Sequence, residues 1–98
     1  MKILDIISRL VLDGNYIFTK HVADKLNEIN HQSQLYLTGD DVLIVLLSGK
    51  LIKVLDNDKR GRRYLIGGTA MDNITQLEIS CRIEGNLVII TVYEPYNF

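Results

Sequence analysis

The stretch Ile74-Thr75-Gln76-Leu77-Glu78-Ile79-Ser80-Cys81-Arg82-Ile83-Glu84-Gly85-Asn86-Leu87-Val88-Ile89-Ile90-Thr91-Val92-Tyr93 decides the fold. Leu77, Ile79, Cys81 and Ile83 alternate with Glu78, Ser80 and Arg82. A period of two belongs to a strand with one buried and one wet face. Glu84-Gly85-Asn86 is a tight hairpin signal. Residues 87–93 are apolar at nearly every position, which predicts a strand inside the sheet, and Pro95 ends it. Residues 74–83 and 87–93 therefore read as an antiparallel pair.

Working upstream, residues 50–55 and 62–67 read as two more strands, joined by the polar turn Asp56-Asn57-Asp58-Lys59-Arg60-Gly61. Residues 68–73 read as a loop. Before Gly49 the texture is helical. Ile3, Ile6, Ile7 and Leu10 recur at helical spacing over residues 2–12. Gly14-Asn15 supplies the stop, since glycine tolerates the left-handed conformation that ends helices. Thr19 is the expected cap of a second helix, with Phe18, Val22, Leu26 and Ile29 as its buried stripe. Residues 30–37 read as a loop. Thr38-Gly39-Asp40-Asp41 opens a third, short and buried helix over 42–47, with acids where the helix dipole favours them. The expected architecture is α+β, with N-terminal helices packed on one face of a four-stranded antiparallel sheet. The other face is left for a substrate or partner.

A chain of 98 residues allows one domain, 1–98, built from a leading helical segment (1–15) and a core (18–95). With 47% hydrophobic and 23% charged residues and one proline, it excludes long disorder and repetitive tracts. The single Cys81 cannot close an intrachain disulfide, and its place on the apolar side of its strand marks it as a small buried hydrophobe. Asp5 and Arg9 inside the apolar N-terminal stretch are wrong for a signal peptide. The longest apolar run, 42–47, is far short of the ~20 residues that span a bilayer. The expected setting is cytoplasmic, with no membrane.

The net charge of −1 excludes a uniformly basic nucleic-acid binder. The charge is unevenly spread, however. Residues 50–63 hold Lys50, Lys53, Lys59, Arg60, Arg62 and Arg63 against Asp56 and Asp58, a local net of +4, whereas the remainder carries five basic and ten acidic residues. Basic side chains release counterions from a nucleic-acid backbone. Lys59 and Arg60 read as a solvated hairpin tip; Arg63, inside a strand beside Tyr64, has a fixed backbone to aim its guanidinium. His21 falls at the edge of the second helix's buried face with Lys25 one turn on, and an imidazole there serves as acid, base or phosphate donor, or simply caps the core edge. Tyr93 ends the last strand and is suited to stacking, to proton transfer, or to a half-buried structural role. His21, His31 and Cys81 show no metal-ligand spacing. Gly67-Gly68 is too short for a phosphate-cradling loop. Neither a metal nor a cofactor is expected.

Phe18-Thr19-Lys20-His21, Asp41-Val42, Gly49-Lys50-Leu51-Ile52, Arg63-Tyr64-Leu65-Ile66-Gly67 and Ile89-Ile90-Thr91-Val92-Tyr93-Glu94-Pro95, in that order, resemble the bacterial family catalogued as domain of unknown function 4258, which is grouped with the RelE/BrnT-like toxins. The resemblance runs from about Phe18 to Pro95. It implies a RelE-like helix-plus-antiparallel-sheet fold, a toxin of a toxin–antitoxin system, metal-independent ribonuclease activity and an antitoxin partner. On it, His21, Arg63 and Tyr93 match the family's helix histidine, strand arginine and late tyrosine, and are the candidate catalytic residues. Lys25, Lys53, Arg62 and Arg82 are the candidate phosphate or RNA contacts. The chain departs from the pattern in two respects: residues 28–38 are longer than the family's Arg-Gly-Ile connection and hold no arginine, and the net charge is unlike that of ribosome-directed toxins.

Two further function classes fit the same residues. One is a non-catalytic RNA- or protein-binding module on the same fold. The other is an oligomerising protein, a homodimer for instance, that uses the apolar helices and the aromatic tail of Tyr93, Tyr96 and Phe98.

Overall fold

The computed structural model describes residues 2–56 and 59–95. The elements run α1 (Ile3–Leu12), β1 (Tyr16–Phe18), α2 (Lys20–Ser33), α3 (Gly39–Ser48), β2 (Lys50–Leu55), β3 (Arg63–Thr69), β4 (Gln76–Glu84) and β5 (Asn86–Tyr93). The α+β class is as expected. The sheet differs in detail: it has five strands in the order β1-β5-β4-β3-β2, and β1 runs parallel to β5, so it is mixed and not a four-stranded antiparallel sheet. Tyr16, Ile17 and Phe18 pair with Leu87, Val88 and Ile89. Three residues are too few to show a period of two, so β1 has no sequence signature of its own.

The alternation in β4 sends Leu77, Ile79 and Cys81 to the core, but the opposite face is not wet throughout: Ser80 (3% exposed) and Arg82 (7%) are buried there as well. Leu77, Ile79 and Cys81 are fully buried and join Ile66 of β3 and Leu87, Ile89 and Val92 of β5 in one core. The helices complete that core with Ile7 and Val11 from α1, Val22, Leu26 and Ile29 from α2, and Val42, Val45 and Leu46 from α3. Burying each large aliphatic side chain is worth about 1.5–3 kcal/mol. The hairpin at Glu84-Gly85-Asn86 forms as expected, with Gly85 at φ +79°, where only glycine sits without strain. In β5 the spacing of the core residues changes from two (Leu87, Ile89) to three (Ile89, Val92). The cause is a bulge: Cys81 faces Ile89 and Ser80 faces Thr91, leaving Ile90 over.

Three expectations for the helical half need correction. Phe18 belongs to β1 and is 39% exposed, so it is not part of the buried stripe of α2. Helix α2 continues through residues read as a loop and ends at Ser33, with Gln34 in the left-handed region at φ 54°. The polar Asn30-His31-Gln32-Ser33 turn hides this because its outward side has nothing to bury. Thr19 stands at the N-cap of α2, yet its hydroxyl makes no capping bond; it donates to the Ile90 carbonyl at 2.6 Å. The third helix is as expected: Thr38 and Asp41 form a capping box, and the Asp41 carboxylate accepts from the backbone N–H groups of Thr38 (2.8 Å) and Met71 (3.0 Å). No described helix is long and apolar enough to cross a membrane. Asn57 and Asp58 of the basic hairpin, and Tyr96 and Phe98 of the aromatic tail, lie outside the described residues.

Candidate functional site

The chain leaves β1 opposite Ile89, and α2 takes over the remaining edge of β5. The Thr19 N–H donates to Ile89 O (3.0 Å), the Thr19 hydroxyl to Ile90 O, and the Ser33 hydroxyl to Glu94 Oε1 (2.9 Å). This pins both ends of α2 beside β5 and fixes the first turn, which carries His21, at the Ile90 bulge. The imidazole is exposed there.

Across the sheet, Glu78, Ser80 and Arg82 of β4 point away from the core, as does Arg63 of β3, one residue from the core-facing Tyr64. Tyr64 pairs with Cys81, so the antiparallel register continues to Arg63 beside Arg82. A depression of about 460 Å³ is lined by Thr19, His21, Lys59, Arg60, Arg63, Arg82 and Ile90. Two residues predicted as catalytic, His21 and Arg63, therefore come together with the predicted phosphate contact Arg82. Arg82 is only 7% exposed, and its Nε lies 3.3 Å from Glu84 Oε2. Charge so deep in a sheet face is costly unless it is paired and hydrogen-bonded.

The structure separates the other predicted residues from this depression. Tyr93, 42% exposed, shares a smaller hollow with Lys25, Glu28, Gln32 and Glu94. It pairs with Glu78, four residues before Arg82, or about 13 Å away along the strand. Lys25 faces Glu28 at 3.7 Å, one turn beyond His21. Lys53, on exposed β2, is opposite Leu65. Arg62 is held by Asp56, with Nε–Oδ1 at 2.6 Å, and lies outside the lining.

Three contributors escaped the sequence reading. Lys59 and Arg60, taken for a solvated tip, stand on the wall of the depression, because the β2–β3 hairpin brings its turn round to β4. The sequence places them in a turn but cannot say which way the hairpin bends. Thr19 reads as a cap, and only the bulge at Ile90 gives its hydroxyl a better acceptor. The sequence hides that bulge, because Val88 and Ile90 are apolar as well and mask the change of spacing in the core residues 87, 89 and 92. Among the described residues no group of three or more His, Cys, Asp or Glu side chains is gathered as a metal would require. Burial pushes the Cys81 thiol up to about 12, keeping it protonated and out of any chemistry here. Comparison with protein-family models, with curated proteins and with solved structures gives no match.

Proposed function

We propose that the chain is a toxin-like RNA-cleaving protein, and that it binds the RNA backbone in the depression between the start of α2 and the ends of β3 and β4. The observation that carries this reading is the gathering of His21, Arg63, Arg82, Lys59 and Arg60 around one concavity in a chain whose net charge is −1. A basic cluster in an otherwise acidic chain selects a polyanion locally without making the whole surface sticky. In this reading Arg63, supported by Arg82, takes the phosphate oxygens. His21 accepts the proton of a ribose 2′-hydroxyl. The 2′-oxygen then attacks phosphorus, and the bond to the 5′-oxygen breaks. Tyr93 lines a different hollow, so the imidazolium formed in the first step, and not the phenol, returns its proton to the departing oxygen. The products are a 2′,3′-cyclic phosphate and a free 5′-hydroxyl. An antitoxin protein as the controlling partner follows from the family resemblance.

A second reading is favoured by the same displacement of Tyr93: the face holds RNA without cutting it, as a non-catalytic module. Inducing the chain alone in a bacterial host and mapping new RNA 5′ ends separates the two. Growth arrest with new ends, lost in both His21→Ala and Arg63→Ala, supports the ribonuclease. Arrest and cleavage that survive both changes contradict the assigned site. Unimpaired growth with no new ends, at verified expression, selects the binding module.

A further inference from the structure

On the same sheet face, beyond Ser80, lies a second depression of about 410 Å³, whose lining includes Lys50, Ile52, Gly67, Glu78 and Pro95. Its geometry follows from one glycine. A Cβ at Gly67 would stand 2.9 Å from Ile52 Cδ1 and 3.7 Å from Glu78 Cγ, so the Ile52 side chain lies over the outer side of Gly67, with Glu78 beside it. The neighbouring Gly68 faces the other way, towards Val45 and Gly49. Lys50, Gly67, Glu78 and Tyr93 are successive register partners across β2, β3, β4 and β5. The depression thus offers a cation at Lys50, an aliphatic surface where Ile52 lies over Gly67, and the Glu78 carboxylate, while Tyr93 continues the row into the neighbouring hollow.

The carboxylate is the informative group. Glu84 pairs with Arg82, Glu28 with Lys25, and Glu94 accepts from Ser33. Glu78 has no hydrogen bond or ion pair among the described residues. An acid on a face that holds RNA repels phosphate, so it is suited to a base edge that donates. Unstacked bases are read through such edges. Guanine alone presents two adjacent donors, N1–H and N2–H, which match the two oxygens of a carboxylate. Adenine and cytosine set a ring acceptor beside their amine, and uracil flanks its one donor with carbonyls. The volume is within the range of about 300–1,000 Å³ usual for small-ligand sites. The span of about 13 Å between Arg82 and Glu78 is one that neighbouring nucleotides of a single extended strand can bridge.

We infer that this depression is a guanine-reading subsite in which Glu78 sets the base preference, Gly67 and Ile52 give the base its floor, and Lys50 meets its phosphate. The inference rests on the RNA-binding reading above. It is tested by titrating GMP, AMP, CMP and UMP separately into the labelled full chain and following backbone amide resonances. GMP is expected to bind about tenfold or more tighter than the others and to shift Gly67, Glu78 and Tyr93. Glu78→Gln, similar in shape and uncharged, is expected to erase that preference while His21 and Arg63 still respond to phosphate. Equal affinity for all four nucleotides, or shifts confined to the His21 and Arg63 depression, would overturn the subsite and leave the RNA-backbone reading standing. GMP-specific shifts at Glu78 with no response of His21 or Arg63 to a short single-stranded RNA would uphold the subsite and sink the backbone reading. The comparison of nucleotides on the unaltered chain decides the matter even where Glu78→Gln fails to fold.

Discussion

At His21 and Arg63, individual side chains gain their meaning from the backbone that aims them. His21 lies in the first turn of α2, and the Thr19 hydroxyl, donating to Ile90 O at 2.6 Å, holds that turn against β5. If His21 is the proton carrier, His21→Ala lowers RNA cleavage by about a hundredfold or more, and Arg63→Ala lowers it by a similar factor through the lost phosphate cation. Thr19→Val keeps the size and removes the donor, so it shifts the His21 resonances and weakens cleavage without removing the imidazole. Cys81 gives a prediction that does not depend on function. Its thiol is pushed up to about 12 by burial alone, so a thiol reagent at pH 8 labels the unfolded chain and spares the folded one. The linkage has a definite sign. Between the ordinary thiol value of 9.0 and about 12, the unfolded chain loses its thiol proton and the folded chain keeps it. Stability therefore falls as pH rises through that window, and falls less in Cys81→Ala.

The elements differ in how much of them the sequence reveals, and the reasons are local. β4 is legible because each core residue is followed by a polar one, and α3 because Thr38 and Asp41 form a recognisable capping box. β1 is hidden: Tyr16, Ile17 and Phe18 gain strand structure only by pairing with Leu87, Val88 and Ile89, some seventy residues on. The same pairing makes the sheet mixed. Helix α3 is joined to the β3–β4 loop through Asp41, which accepts from both Thr38 N–H and Met71 N–H and is 7% exposed. Asp41→Ala is expected to cost about 2 kcal/mol in urea unfolding, because two part-buried backbone N–H groups lose their common acceptor. Where α3 meets β2, a Cβ at Gly49 would lie 2.5 Å from the carbonyl oxygens of Gly67 and Val45. Backbone cannot give way as a side chain does, so Gly49→Ala is expected to destabilise by about 3 kcal/mol. At the start of β4, Asp72 accepts from the Thr75 hydroxyl and from the N–H groups of Ile74 and Thr75, which together hold its carboxyl below the ordinary 3.8, the Thr75 hydroxyl most of all. This turn is fully formed above pH 3.8 and loosens as pH falls through the lowered value, to be seen in the Thr75 amide resonance.

Over the whole molecule, the distribution of charge and the order of the strands work together. The six basic residues between 50 and 63 are visible in the sequence, and so is the acidic balance of the rest. What could not be read was which of them converge: the hairpin brings Lys59, Arg60 and Arg63 to Arg82, while Arg62 turns to Asp56. His21 and Tyr93 are both candidate catalytic residues on the family resemblance, but in the fold they line different hollows, and Tyr93 pairs with Glu78, a strand offset of about 13 Å from Arg82. A few phosphate contacts at such a patch make RNA affinity fall about tenfold between 50 and 200 mM salt, which a filter-binding series measures. The most direct test of the central claim uses the purified chain and a short single-stranded RNA in the presence of EDTA. The account predicts cleavage to a 2′,3′-cyclic phosphate, lost in His21→Ala and blocked by a 2′-deoxy sugar at the cut position. Intact RNA from the unaltered chain, together with no binding that Arg63→Ala weakens, would contradict it.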